Sequence, residues 1–308
     1  MSQAIVLQVN KSVLEKMNNH YSPFKKEQAP PYTLFAAKKG TVTITAYKSG
    51  KVLFQGPSAE KEAGNWQASS STPTAHSTDL KKKTTLPPNF SNWSVIGSDE
   101  VGNGSYFGPV TVCAAFVPRE KIHPLKKLGV KDSKLLTDSQ IRLLAPKIEA
   151  LIDLRLLTVT PSKYNQIQPK YNVNHMKAVL HNQAIYLLLQ QIAPTQPEGI
   201  LIDQFTPEKN YRRYIKTEVH PVTDNLYFTT KGEHYHIAVA AASIICRAAF
   251  LDSLEALSLE AEFPLPSGAG SKSDAIAAKI LKKGGLELLG KYAKLHFANT
   301  EKAHKLNR

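Results

Sequence analysis

The sequence predicts an α/β protein with a mixed sheet flanked by helices, preceded by a small α+β domain. In the larger C-terminal part, apolar segments of strand length alternate with long segments of helical periodicity, which implies an α/β layer structure. Between residues 65 and 90 the composition changes to Ser, Thr, Pro and Lys, with few apolar residues that could anchor it. We therefore predict a domain over residues 1–66, a flexible linker over 67–90 and a second domain over 91–308.

In the small domain, "AIVLQV" predicts a strand and "KSVLEKMNNHY" a short helix. The segment "TVTITAYKSGKVLFQG" alternates apolar and polar residues around Ser49-Gly50, which predicts a hairpin with its turn at that pair. The pattern is typical of a helix on a curved antiparallel sheet.

The large domain begins with the strand-like segments "VIGSDEVG" and "PVTVCAAFV". The "TDSQ" segment predicts a helix capped by Thr137, with Gln140 completing a capping box. A strand "IDLRLLTVT", a helix "VNHMKAVLHNQAIYLLLQQI", a strand "GILIDQF" and further helical stretches follow, without an internal repeat.

The net charge of +14 favours a polyanionic partner, although charge alone does not choose between nucleic acid, membrane and ribosome. Cys113 and Cys246 lie in apolar runs and form no zinc-binding pattern, as in a reducing compartment. The N-terminal stretch lacks the features of a signal peptide, and no uninterrupted apolar run approaches ~18 residues. We expect a cytoplasmic protein that does not bind membranes.

Residues 1–66 contain nine Lys and four Glu but no Arg or Asp, a net charge of +5. Lysine without arginine suits non-specific phosphate contact, because an ammonium is a point charge without the geometry of a guanidinium. A solvated basic face explains the same composition equally well.

Acidic residues stand at the ends of buried strands, where an isolated carboxylate is costly unless a cation or a donor neutralises it. Asp99 and Glu100 end an apolar strand before a glycine-rich turn, Asp203 ends "GILID", and Glu233 precedes a helix of small residues. Four such carboxylates at one edge would form an all-oxygen site for Mg²⁺ or Mn²⁺. The alternative for each acid alone is a turn or a surface ion pair.

The turn after Glu100 reads "GNG", and without Cβ atoms its backbone groups can approach a ligand closely. A tight turn that merely needs positive φ is the competing explanation. His234 and His236 are not expected to be ligands, because Mg²⁺ rarely uses imidazole, and His175 and His181 lie in a predicted helix with no acid nearby in sequence. "SGAGSKSDAIAAK" lacks the Walker A spacing and predicts a loop followed by a helix.

Taken together, these segments resemble the type 2 ribonucleases H and, within them, the ribonuclease HIII family. The resemblance rests on "GSDEVGNGSYFGPV", "GVKDSKLLTD", "ILIDQF", "TKGEHYHIAVAAASIICR" and "AKLHFANTEKA", which span most of residues 93–303 in the family's order. It implies a ribonuclease H-like catalytic domain over 91–308. It also implies that residues 1–66 form a substrate-binding domain similar to the TATA-binding protein.

The resemblance places the family's active-site acids on Asp99, Glu100, Asp203 and Glu233; the sister family, ribonuclease HII, has Asp at the last position. It implies hydrolysis of the RNA strand of RNA/DNA hybrids with Mg²⁺ or Mn²⁺, leaving 5′-phosphate and 3′-hydroxyl ends. Two cations about 3.5–4 Å apart would activate water and stabilise the leaving oxygen. By resemblance, Asp99 bridges the cations, Glu100 and Asp203 hold one, and Glu233 holds the other.

Substrate recognition by resemblance falls on Gly102, Asn103 and Gly104, where ribonuclease HII enzymes carry Gly-Arg-Gly and contact ribose through the backbone. The ribose 2′-hydroxyl distinguishes RNA from DNA, so Asn103 would keep backbone recognition but lose a guanidinium contact. Lys134 of "KDSK" is expected to approach a phosphate, with simple solvation as the alternative, and Arg247 is interpreted as structural.

Two other functions remain open at this point. One is cleavage at single ribonucleotides embedded in DNA, as in ribonuclease HII. The other is binding of hybrids or structured RNA without catalysis, which four acids beside a phosphate backbone make less favourable. We expect a monomer without an obligate protein partner.

Overall fold

The computed structural model describes residues 4–26, 33–47, 49–67 and 86–307. It divides into two compact units, within residues 1–82 and 83–308. Most of the predicted linker, residues 68–85, lies outside the described residues. Phe90 is buried in the core of the second unit, so packing there begins upstream of the boundary at residue 91 that the composition indicated.

The N-terminal unit is a four-stranded antiparallel sheet with two helices. Its elements are β1 (Ala4–Gln8), α1 (Lys11–His20), β2 (Thr33–Lys39), β3 (Val42–Tyr47), β4 (Lys51–Gln55) and α2 (Ala59–Gln67). The strand order is β1-β4-β3-β2, and the hairpin between β3 and β4 confirms the turn predicted at Ser49-Gly50. Both helices contribute to one apolar core with the sheet, around the buried side chains of Met17, Ile44 and Phe54.

The C-terminal unit contains five strands and eight helices among the described residues. They are β5 (Val95–Val101), β6 (Val110–Val117), α3 (Arg119–Lys127), α4 (Asp138–Glu149), β7 (Leu154–Val159), α5 (Pro161–Ile167), α6 (Val173–Ile192), β8 (Gly199–Asp203), α7 (Glu208–Ile215), β9 (Leu226–Thr229), α8 (Ile237–Ala261), α9 (Ser271–Tyr292) and α10 (Ala298–Leu306). The predicted capping box of Thr137 and Gln140 begins α4. Helix α9 is interrupted at Gly284 and Gly285, whose backbone angles are not helical.

The sheet of this unit is mixed, with strand order β7-β6-β5-β8-β9. Strand β6 pairs antiparallel with both β5 and β7, whereas β8 lies parallel to both β5 and β9. The parallel pairing aligns Ser98 with Ile202. The next residues, Asp99 and Asp203, therefore reach the same edge of the sheet.

Helix α8 packs directly against β5 and β6 and supplies much of the main apolar core. A Cβ atom on Gly97 would lie 2.3 Å from the backbone of Ala238 and Val239, so glycine is required where this helix crosses β5. By length and composition α8 could cross a membrane, but 72% of its most apolar window is buried inside the protein. The apolar side chains of α8 therefore pack inside the protein, as in a core helix.

Candidate active site

Asp99 and Glu100 lie at the end of β5 and point toward different helices, as the pleat of a strand requires. Asp99 contacts α8, where Ser243 offers its hydroxyl to the carboxylate and the Cys246 thiol donates to the Asp99 carbonyl at 3.3 Å. Glu100 instead contacts Lys177 and His181 of α6. The two carboxylates still interact electrostatically, so the end of β5 brings negative charge to one place from both faces.

Asp203 and Glu233 reach the same region from β8 and from the short 3₁₀ helix before α8. The backbone N–H of Gly232 donates to Asp203 Oδ1 at 2.9 Å, which joins the two segments. Asp203 interacts electrostatically with Glu233 and Glu100, and Asp99 interacts with Asp203. The structure therefore brings together the four acids that the sequence pointed to.

The electrostatics of these acids are unequal. Burial, together with the charges of Glu100 and Asp203, raises the pKa of Asp99 to about 7. Burial and then the charges of Glu233 and Glu100 raise the pKa of Asp203, against the Gly232 N–H, which lowers it. Burial also acts to raise the pKa of Glu100, but the donors His181 and Lys177 outweigh it and hold that pKa below its ordinary value.

The two partners of Glu100 were missed in the sequence. His181 had been set aside because no acid is near it in the chain, yet its Nε2 lies 2.9 Å from Glu100 Oε2. Lys177 Nζ donates to Glu100 Oε1 at 2.7 Å. The available signal was the i, i+4 spacing of these two residues in a predicted helix, which places both on one face.

Lys134 lies beside Glu233, with its Nζ 3.6 Å from Oε1 and 78% of its side chain exposed. Burial acts to lower the pKa of Lys134, but the surrounding carboxylates, Glu233 foremost, raise it overall. Arg247 holds the segment that carries this lysine by donating to the carbonyls of Ser133 and Leu136 and to Asp138 Oδ1. These contacts agree with the structural role expected of Arg247.

The "GNG" turn follows β5 directly. Gly102 has a φ of +93°, and a Cβ atom there would lie 2.1 Å from the Pro109 carbonyl oxygen, so the turn requires glycine at this position. Asn103 is half-buried, and Gly104 is exposed with no neighbouring atom within 4 Å of a Cβ position. The backbone of Gly104 is thus open to a ligand.

The other three histidines considered in the sequence have structural partners or lie at the surface. His236 begins α8, where its Nδ1 accepts from the Ala238 N–H and its Nε2 donates to the Trp93 carbonyl. Burial lowers the pKa of His236 to about 4. His175 stacks on Tyr214, and exposed His234 offers a ring nitrogen within 4.8 Å of carboxylate oxygens of Asp132 and Glu233.

Known proteins and family models are similar to this chain over most of its length. The family model described as Ribonuclease HII matches residues 96–300, and one for a domain of unknown function matches residues 4–79. The chain is 63% identical to the Ribonuclease HIII of Enterococcus faecalis, over 99% of this chain and 100% of that protein. This chain belongs to the ribonuclease HIII family.

Two further similarities cover both units of this ribonuclease HIII family member. The Ribonuclease HIII of Listeria monocytogenes is 48% identical over 99% of each chain. The solved structure of Bst-RNase HIII in complex with Mn²⁺ is 40% identical over 99% of each chain, with a TM-score of 0.72. The predicted family, the mixed α/β fold with a small N-terminal domain, and the hydrolase class are thereby confirmed.

Proposed function

We propose that this chain is an endoribonuclease that hydrolyses the RNA strand of RNA/DNA hybrids, leaving 5′-phosphate and 3′-hydroxyl ends. The catalytic residues are Asp99, Glu100, Asp203 and Glu233. The observation that carries the proposal is the convergence of these four carboxylates from β5, β8 and the segment before α8, in a member of the ribonuclease HIII family.

The chemistry of the site fits Mg²⁺ or Mn²⁺. All four side chains offer oxygen ligands, which these hard cations prefer. Burial first, and then the charges of neighbouring carboxylates, raise the pKa of both Asp99 and Asp203, so a cation would stabilise their ionised forms. The Mn²⁺ complex of the related Bst-RNase HIII supports the same ions here.

In this mechanism Asp99 would be a ligand of both cations, Glu100 and Asp203 would hold one of them, and Glu233 would hold the other. When bound, the cations supply an activated attacking water and stabilise the leaving oxygen. The protein contributes the position of each ligand, which for Asp203 includes the hydrogen bond from Gly232. Lys134, largely exposed beside Glu233, contacts a phosphate of the scissile strand.

Selection of RNA is assigned to the backbone of Gly102, Asn103 and Gly104. The open backbone at Gly104 and the turn at Gly102 allow a sugar to approach the peptide groups, which can hydrogen-bond a 2′-hydroxyl. Gly102 stays in this turn partly because its carbonyl accepts from the Ser105 N–H at 3.1 Å.

Residues 1–66 are proposed as the substrate-binding domain, connected by the linker 67–90 to the catalytic domain 91–308. The described lysines of the N-terminal unit are exposed except for Lys39, which is half-buried and pairs with Glu62 at 2.9 Å; the exposed ones are Lys11, Lys16, Lys25, Lys26, Lys38, Lys51 and Lys61. Such lysines can neutralise phosphates without reading sequence.

The test is cleavage of labelled substrates with Mg²⁺ or Mn²⁺ by the wild type and by Asp99→Asn. The panel contains an RNA/DNA hybrid, a DNA duplex with one ribonucleotide, duplex RNA and duplex DNA. We expect hybrid cleavage that Asp99→Asn abolishes while hybrid binding stays nearly unchanged. Turnover by the variant would remove Asp99 from the site, and tight binding without cleavage by the wild type would leave only a binding protein.

A second activity is favoured by the match of residues 96–300 to the Ribonuclease HII model. Efficient cleavage of the duplex with one ribonucleotide would establish it. We also propose that the enzyme acts as a monomer in the cytoplasm, which light scattering and cell fractionation would test.

A further inference from the structure

Both carboxylate oxygens of Glu100 are held from within the protein. Lys177 Nζ donates to Oε1 at 2.7 Å, and His181 Nε2 lies 2.9 Å from Oε2. The Lys177 and His181 side chains are 6% and 0% exposed, and that of Glu100 is 12% exposed. These donors are therefore held in place by packing, unlike the largely exposed Lys134 beside Glu233.

The two donors are themselves anchored. His181 Nδ1 lies 2.6 Å from Ser98 Oγ, which contacts the Cys113 carbonyl in β6 at 3.0 Å. Phe205, two residues beyond Asp203, has the Lys177 ammonium 4.1 Å from its ring centroid and the His181 ring stacked at 5.1 Å. The network thus connects α6 to three segments of the catalytic edge.

We propose that Lys177 and His181 are positioning residues that orient the Glu100 carboxylate as a ready-made cation ligand before any cation arrives. This inference rests on the proposed function, because it takes Glu100 to be a ligand. An unsupported glutamate side chain would lose rotamer freedom on binding a cation, and two buried donors remove most of that cost in advance.

The positive charge of Lys177 and its hydrogen bond to Glu100 should have opposite effects on cation binding, so a replacement of Lys177 tests the inference. An ammonium near the site repels an incoming cation, so its loss alone would strengthen cation binding. If Lys177 instead serves to orient Glu100, its loss weakens cation binding. A loss of affinity in Lys177→Met is therefore opposite to the effect of removing direct repulsion between the ammonium and the cation.

The experiment is a calorimetric titration of the metal-free, full-length protein with Mn²⁺ alone, so that no catalytic turnover enters the measurement. Two uncharged replacements of His181 form a matched pair. His181→Gln can place an N–H donor near the former Nε2, whereas His181→Asn cannot reach Glu100. We expect His181→Asn to weaken Mn²⁺ binding by about 10-fold or more and His181→Gln to restore most of it.

Lys177→Met and Lys177→Arg form a second pair in case the His181 variants do not fold, which thermal unfolding would reveal. The arginine keeps the charge and a donor, so we expect it to bind Mn²⁺ more tightly than the methionine variant. Mn²⁺ affinity in Lys177→Met equal to or above that of the wild type would overturn the role of Lys177.

Glu100→Gln separates this inference from the proposed function. If Glu100→Gln keeps both Mn²⁺ affinity and hybrid cleavage, Glu100 is not a ligand and the assignment of the four acids is wrong. If Glu100→Gln loses Mn²⁺ affinity but His181→Asn and Lys177→Met keep it, only the positioning role is wrong. Loss of Mn²⁺ affinity in Glu100→Gln, His181→Asn and Lys177→Met, with recovery in His181→Gln, supports the proposal.

Discussion

Gly232 donates its backbone N–H to Asp203 Oδ1, and the next residue is Glu233. A Cβ atom on Gly232 would lie 3.2 Å from Val239 Cγ1 and 3.6 Å from the Asp203 Cα. We expect Gly232→Ala to displace this segment by a few tenths of an ångström. Because misplaced ligands slow catalysis steeply, kcat for hybrid cleavage should fall by about 10-fold with little change in KM.

The matched control is Gly64→Ala in α2, where a Cβ atom meets nothing within 4 Å. Alanine is favoured over glycine inside a helix, so this variant should unfold at the same or a slightly higher temperature and keep its kcat. Equal kcat values for Gly232→Ala and Gly64→Ala would contradict the role assigned to the Gly232 contact.

Asp99 should make the stability of the metal-free enzyme depend on pH. Its pKa is raised from 3.8 to about 7, so the folded state binds this proton more tightly than the unfolded chain does. The resulting stabilisation is complete below pH 4 and is lost as the pH rises through 7. Relative to Asp99→Asn, the wild type should lose up to about 4 kcal/mol of unfolding free energy across this range.

Urea unfolding of both proteins at pH 5 and pH 8, with a chelator present, measures the larger part of this difference, about 2–3 kcal/mol. His236 contributes with the opposite sign, because burial lowers its pKa to about 4, but both proteins retain it and its effect cancels. At pH 8, added Mn²⁺ should raise the unfolding free energy of the wild type more than that of Asp99→Asn. Parallel pH profiles for the two proteins would mean that Asp99 does not titrate in this way.

Arg247 should stabilise the segment that carries Lys134. Arg247→Met removes the charged donor from the Ser133 and Leu136 carbonyls and from Asp138. We expect a loss of about 2 kcal/mol in unfolding free energy and a higher KM for hybrids. Arg142→Met is the control, since its partners Asp252 and Glu255 are mostly exposed and such pairs contribute about 0–1 kcal/mol. Similar losses of unfolding free energy in Arg247→Met and Arg142→Met would contradict the stabilising role of Arg247.

The basic N-terminal unit should govern the salt dependence of hybrid binding. Deletion of residues 1–66 removes the seven lysines that are exposed among its described residues, while the described C-terminal unit retains its own apolar cores. Because each phosphate contact releases counterions, the deletion should lower affinity and flatten the plot of log affinity against log salt. Binding of Asp99→Asn with and without the deletion, measured by fluorescence anisotropy, checks this. An unchanged slope would exclude phosphate contact by this unit.

Local patterns in the chain were sufficient for much of the fold. The capping box at Thr137, the boundaries of α6 and the hairpin at Ser49-Gly50 agree with the structure, because each depends on residues close in sequence. Strands β2 and β9 were not predicted, since each is stabilised by pairing with a partner strand rather than by a local pattern.

The sequence alone indicated the family, because the matching segments span most of residues 93–303, and by that resemblance it predicted Asp99, Glu100, Asp203 and Glu233 as the site acids. Only the tertiary structure decided which partners each acid has. The α6 donors Lys177 and His181 lie 77 and 81 residues from Glu100, and no local periodicity relates them. The unequal pKa values of Asp99 and Glu100 follow from that packing, since adjacent residues of one strand face different helices.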